Sequence, residues 1–151
     1  MGKLGRLSIG FCLLAALAFA AQCFGQSSLV GEWEGTLNAG GNEVHIAWHV
    51  TAGAAGVVTS TFDNKDEGVY GIKVKDLVLT GSKLTLAIDD QVEVNGSAAN
   101  IRGTFDGTVS ADGNEVTGTW TQTDPQEEPP AEIHFKRSAP QAPSTPATPK
   151  N

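Results

Sequence analysis

The chain has 151 residues, a formal net charge of -7 and a pI near 4.8. That length suits one domain and leaves little room for a multidomain enzyme, and the acid excess argues against a nucleic-acid partner, whose polyanionic backbone is held chiefly by clustered Lys and Arg. Glycine is high at 18 residues while aromatics make up only 7%, a balance that fits many short strands and turns better than a helical bundle.

The N-terminus has the layout of a secretory signal. Lys3 and Arg6 form a positive start, and Leu7 to Ala21 is an apolar stretch too short for a comfortable membrane span. Cleavage fits after Ala20, Cys23 or Gly25, and the polar leader Gln26-Ser27-Ser28 favours Gly25. The signal peptide is therefore assigned to residues 1–25, and the product is expected to be secreted or periplasmic. Gln22 before Cys23 is a poor match to a lipid-attachment box, so no lipid anchor is expected there. Loss of the leader removes two basic residues and no acid, so export sharpens the acidity. Cys12 goes with the leader, as does Cys23 if cleavage follows it, leaving no disulfide to support the fold. No second apolar run of spanning length follows.

From Leu29 to Arg137 the dominant period is two. Trp33, Gly35 and Leu37 alternate with Glu32, Glu34 and Thr36, and Val44, Ile46, Trp48 and Val50 alternate with Glu43, His45, Ala47 and His49. Alternation of this kind marks strands with one buried and one wet face. It continues through Val58 to Phe62, Leu77 and Leu79, Leu84 to Ile88, Val92 and Val94, Ile101 to Val109, Val116 to Trp120, and Ile133 with Phe135, which makes about nine strands. Gly40-Gly41, Gly53 to Gly56, Gly81-Ser82, Asp89-Asp90, Asn95-Gly96 and Asp112-Gly113 supply reversals between these runs. Asp63 to Gly71 is the one connection with room for a short helical turn, and Asp124 to Pro130 is a longer acidic loop before the last strand.

No helical period exists to cover an open sheet, so the predicted fold is all-β: an antiparallel up-and-down barrel of about eight or nine strands, with a two-sheet β-sandwich as the alternative. Gly35, Gly103, Gly107 and Gly118 fall on the inward phase, where they permit bending and close contact with rings; coiling around Trp33, Trp48 and Trp120 would explain them. The domain is assigned to residues 26–137. Pro140, Pro143, Pro146 and Pro149 then recur every third residue, so 138–151 reads as a disordered proline-rich tail, a spacer first and a polyproline ligand second.

Candidate sites are few. His45 and His49 lie roughly 13 Å apart on a strand at about 3.3 Å per residue, too far to share an ion, and His134 alternates outward, so all three are expected to be exposed polar residues and no metal site is assigned. Asp63, Asn64, Asp66 and Glu67 form an oxygen-rich loop, but Lys65 interrupts the calcium-loop pattern and the distant Glu is missing. Asn95-Gly96-Ser97 matches a glycosylation sequon, which matters only in a eukaryotic secretory pathway. There is no G-x-S-x-G elbow and no cleft-facing carboxylate pair, so no catalytic residue, enzyme activity or cofactor is assigned. Trp33, Trp48 and Trp120 are the sharpest feature, with core packing as the leading role and a cup for an apolar ligand or sugar ring as the functional one.

Three segments, GEWEGTL at 31–37, DNKDEGVYGIKV at 63–74 and GTVSADGNEVTGTWTQ at 107–122, resemble the lipocalin-like β-domain that precedes the catalytic domain of many secreted bacterial α/β-hydrolases. The resemblance spans about 29–137 and implies an antiparallel barrel with an accessory role. The chain departs from those enzymes in having a proline-rich tail where the hydrolase domain would begin, so no catalytic residue carries over. The expected function is that of a noncatalytic secreted module binding a small apolar ligand or a protein partner. The alternatives are an envelope interaction protein with a fully packed core and, more weakly, an accessory domain of a hydrolase system.

Overall fold

The structure, a computed structural model, describes residues 25–139. The signal cleavage alternatives, Cys23 and the four prolines of the tail lie outside the described residues, apart from Gly25 itself.

A short 3-10 turn, Gln26–Leu29, leads into eight strands: β1 (Gly31–Ala39), β2 (Asn42–Ala52), β3 (Val58–Asn64), β4 (Val69–Thr80), β5 (Lys83–Val94), β6 (Ser97–Val109), β7 (Glu115–Asp124) and β8 (Ala131–Arg137). A second such turn, Ala54–Gly56, connects β2 to β3. Every strand pairs antiparallel with the next, and β8 returns to β1, with Gly35 opposite Phe135 and Leu37 opposite Ile133. The sheet is a closed up-and-down barrel, which removes the sandwich alternative: the edges that two sheets would leave are consumed by the β1–β8 ladder. Among the described residues no helix is long and apolar enough to cross a membrane.

Two local expectations are corrected. Asp89-Asp90 is not a turn; β5 runs straight through it, with Asp89 opposite Arg102 and Asp90 opposite Ile101. The reason lies across the sheet. Asp89 accepts from Arg102 and faces Lys75, while Asp90 accepts the Lys73 backbone N–H at 2.9 Å, just where the β4–β5 ladder is irregular. Side-chain partners on both neighbours hold two weak strand formers inside a strand. The runs 84–88 and 92–94 are thus one strand, and nine strands become eight. The second correction concerns Asp63 to Gly71, which contains no helix: β3 ends at Asn64, a tight turn follows, and β4 begins at Val69. Gly71 lies inside β4 at φ 71°, where the β3–β4 register shifts, and its N–H is taken up by the Asp63 side chain at 2.8 Å.

The alternating pattern does place one face inward. Leu29, Trp33, Trp48, Leu84, Phe105, Val116 and Phe135 are almost completely buried. Of the inward glycines, Gly35 lies under Phe135, Gly103 under Trp120, and both Gly107 and Gly118 under Phe105. Glycine makes room for rings, as the sequence suggests, but Trp33 and Trp48 are not among those rings.

Candidate functional site

An up-and-down barrel sorts its connections by parity. The turns after β1, β3, β5 and β7 gather at one end, and those after β2, β4 and β6 gather at the other with both ends of the described chain. The two ends have opposite characters.

The second end is packed shut. Trp33 and Trp48 face each other across β1 and β2 with ring centroids 5.4 Å apart, and Trp48 also meets Phe62 at 5.7 Å and Phe135 at 5.4 Å. Both indole N–H groups are satisfied: Trp33 Nε1 donates to the Leu29 carbonyl at 2.9 Å and Trp48 Nε1 to Ser60 Oγ at 2.6 Å. Arg137 covers Trp33 with its guanidinium carbon 4.2 Å from the ring centroid. Its nitrogens donate to the carbonyls of Ser28 and Val30, each at 2.8 Å, and to Gly113 at 3.0 Å. One planar cation therefore ties the N-terminal turn, the β6–β7 connection and β8 across the end of the barrel. Burial lowers the pKa of this guanidinium, yet arginine retains its charge at any physiological pH.

The first end holds a cavity of about 740 Å³, within the range that accommodates small organic ligands. Phe62, Phe105 and Phe135 form its floor, since they line it and belong to the aromatic cluster below. Its walls are apolar, with Leu37, Ile46, Leu86, Ile88, Ile101 and Ile133 among them, and Trp120 is the tryptophan that lines it. The three tryptophans thus separate. Trp33 and Trp48 are each 1% exposed and belong to the plug, whereas Trp120 is half-buried against the cavity. No family model, curated protein or solved structure matches the chain.

The rim is polar and carries one sign of charge. Asp66 and Glu67 come from the β3–β4 turn and Glu128 from the β7–β8 loop, beside the amides of Asn64, Asn95, Gln122 and Gln126. Among the described residues no Lys, Arg or His lines the cavity. Rim position is not legible from the local pattern, which marks these residues only as solvated turn residues. The signal that could reveal it is parity, because the connections that follow odd-numbered strands must share one end of a closed meander.

Three of the four oxygen-bearing side chains of the oxygen-rich loop, those of Asp63, Asn64 and Asp66, already accept hydrogen bonds. Asn64 Oδ1 accepts from the Glu67 N–H, and Asp66 accepts both the His45 backbone N–H at 2.8 Å and its ring Nδ1 at 3.1 Å, which lowers the Asp66 pKa. Asp63 turns to His49 Nε2 at 2.9 Å, while Glu32 bonds Nδ1 on the other side. Among the described residues no group of three or more His, Cys, Asp or Glu is placed to hold a metal. His49 is accordingly not a freely exposed residue but a half-buried imidazole clamped between two carboxylates of neighbouring strands. His45 is the exposed one, and His134 lies 3.7 Å from Glu115 on the outer face.

The His49 clamp predicts a pH dependence. Burial pulls its pKa down, but the hydrogen bonds from Asp63 and Glu32 outweigh this and the net shift is upward from 6.5. A raised folded-state pKa means that the clamp contributes fully below about pH 6.5, the unfolded value, and that this contribution is lost as pH rises through the folded pKa. Urea midpoints of the wild type and His49→Gln, measured across this window, should converge as pH rises. A wild-type minus variant difference that stays flat would show that the clamp carries no linked proton.

Proposed function

We propose that the protein is an exported, noncatalytic binding module that carries a small apolar ligand in the open half of its barrel. The observation that supports this reading is the cavity itself: about 740 Å³ bounded by aromatic and aliphatic side chains, with polar groups confined to the rim. Apolar surface in such a cup is stabilised by exchanging water for a hydrocarbon. The structural division also suits a container, because the plug of Trp33, Trp48 and Arg137 secures one end without depending on what fills the other. The reading agrees with the resemblance to lipocalin-like accessory domains and with export by the N-terminal signal, and it assigns no reaction.

Ala99 lies on the cavity wall and is half-buried. Ala99→Trp should fill the space near the mouth and weaken binding of a neutral probe such as dodecanol by about tenfold or more, equivalent to ~1.4 kcal/mol, with a melting temperature close to that of the wild type. Calorimetric titration gives the affinity. Equal dodecanol binding by the wild type and the variant, or an absence of binding to the wild type, would overturn the proposal. Protein purified from its native host should also release a co-purified apolar molecule on organic extraction, read by mass spectrometry. The competing reading, an envelope interaction protein with a filled core, expects no ligand in either experiment.

A further inference from the structure

A closed apolar tube accepts an alkyl chain regardless of what the chain carries at its end. Selection among amphiphiles then falls to the rim, where the head group stops. Here the rim places three carboxylates, Asp66, Glu67 and Glu128, around an apolar shaft, with no cationic side chain of the described residues lining the cavity to offset them.

Two basic groups adjoin Asp66, Lys65 in sequence and His45 by hydrogen bond, and neither lines the cavity. Lys65 sits in the same turn as Asp66 and Glu67, but its Nζ reaches Glu34 on β1, at 2.8 Å and 3.0 Å from the two carboxylate oxygens. The His45 ring is occupied on Asp66 and does not line the cavity. Arg137 lies at the opposite, plugged end. The remaining rim groups are uncharged: Asn64, Asn95, Gln122 and Gln126, the last of which donates to Glu128 Oε1 at 2.9 Å. Trp120 adds a ring whose face attracts cations.

From this arrangement we propose that the cavity selects apolar molecules with a cationic head group, an alkylammonium type of ligand, and rejects fatty-acid anions of the same chain length. The inference rests on the binding-module reading above and sharpens it to a ligand class. Charges at a low-dielectric mouth focus the local potential: a cation placed there is attracted by three carboxylates at once, and a carboxylate head is repelled by the same three. An alkyl carboxylate would have to stop short of the mouth or leave its charge unpaired against like charge, either of which costs affinity.

The test compares three C12 probes below their micelle concentrations, dodecyltrimethylammonium, dodecanol and dodecanoate, by calorimetric titration of the full exported chain. The expected order of affinity is ammonium, then alcohol, then carboxylate, with about tenfold between the two charged probes at low salt and a smaller gap at high salt. Removing two of the carboxylates in Glu67→Gln/Glu128→Gln should reduce ammonium affinity about fivefold and narrow the gap between the ammonium and carboxylate probes. Ala99→Trp, which keeps every rim charge, separates cavity binding from adsorption to an acidic surface: ammonium affinity must fall with it. Dodecanoate binding as tightly as the ammonium probe would overturn the head-group assignment while leaving the cavity reading intact. Ammonium binding undiminished in Ala99→Trp would overturn the assignment as well, and failure of all three probes to bind would overturn both readings.

Discussion

Trp48→Ala should cost the protein about 3–5 kcal/mol of unfolding free energy, a large part of the ~5–15 kcal/mol that domains of this kind possess. Trp48 is the hub of the plug. Its ring contacts Trp33, Phe62 and Phe135, and it is 1% exposed, so truncation leaves a cavity walled by rigid aromatics from three strands that cannot collapse into it. The change also strands Ser60 Oγ, itself on a residue 7% exposed, by removing the Nε1–H that it accepts. Urea unfolding followed by far-ultraviolet circular dichroism measures the loss. Trp120→Ala is the informative control, since Trp120 borders open space and is half-buried; it should cost markedly less. Equal losses at the two positions would mean that the ends of the barrel are not packed differently.

Gly118→Ala should destabilise by about 1–3 kcal/mol through overpacking, although it adds only one carbon. Gly118 stands opposite Gly107 in the β6–β7 ladder. A Cβ at Gly118 would meet the Asp106 carbonyl oxygen, come within 2.5 Å of the Gly107 Cα and lie 2.6 Å from Phe105 Cζ. Two of these are backbone atoms in a hydrogen-bonded strand, which cannot step aside without opening the ladder, and the third belongs to a ring 2% exposed. Gly40→Asn tests the other use of glycine. Gly40 has φ 58° in the β1–β2 turn, and a Cβ there would have nothing within 4 Å. Asn is among the residues that best tolerate that backbone region, so the cost should be only a few tenths of a kcal/mol, roughly. Thermal unfolding of both variants checks the contrast. A Gly118→Ala protein as stable as Gly40→Asn would show that the β6–β7 contact yields freely.

Both effects arise from features that the linear pattern shows from one side only. The inward phase of Trp33, Trp48, Phe105, Phe135 and Gly118 is legible because side chains in a strand alternate and only one face of a single sheet can be buried. What the rings touch is not legible in that way. Phe135 covers Gly35 because β8 closes onto β1, a contact as remote in sequence as the two ends of the domain. The continuity of β5 through Asp89-Asp90 has the same origin: a pair of aspartates signals a turn locally, and only the neighbours Arg102, Lys75 and Lys73 make the strand continue.

An all-β domain with most of its hairpin turns, its apolar phase, its acidity and its lack of a nucleophile motif follows from the amino-acid order, because these depend on period, composition and residues a few positions apart. Three properties come from the folded arrangement instead: the sheet closes with eight strands, Arg137 seals one end over Trp33, and the tryptophans divide between plug and cavity. Closure is a long-range event, and it brings Asp66, Glu67 and Glu128 from separate loops to one rim. An acidity that in composition names no location acquires, once the strands are wound into a barrel, a common position at the mouth of the cavity.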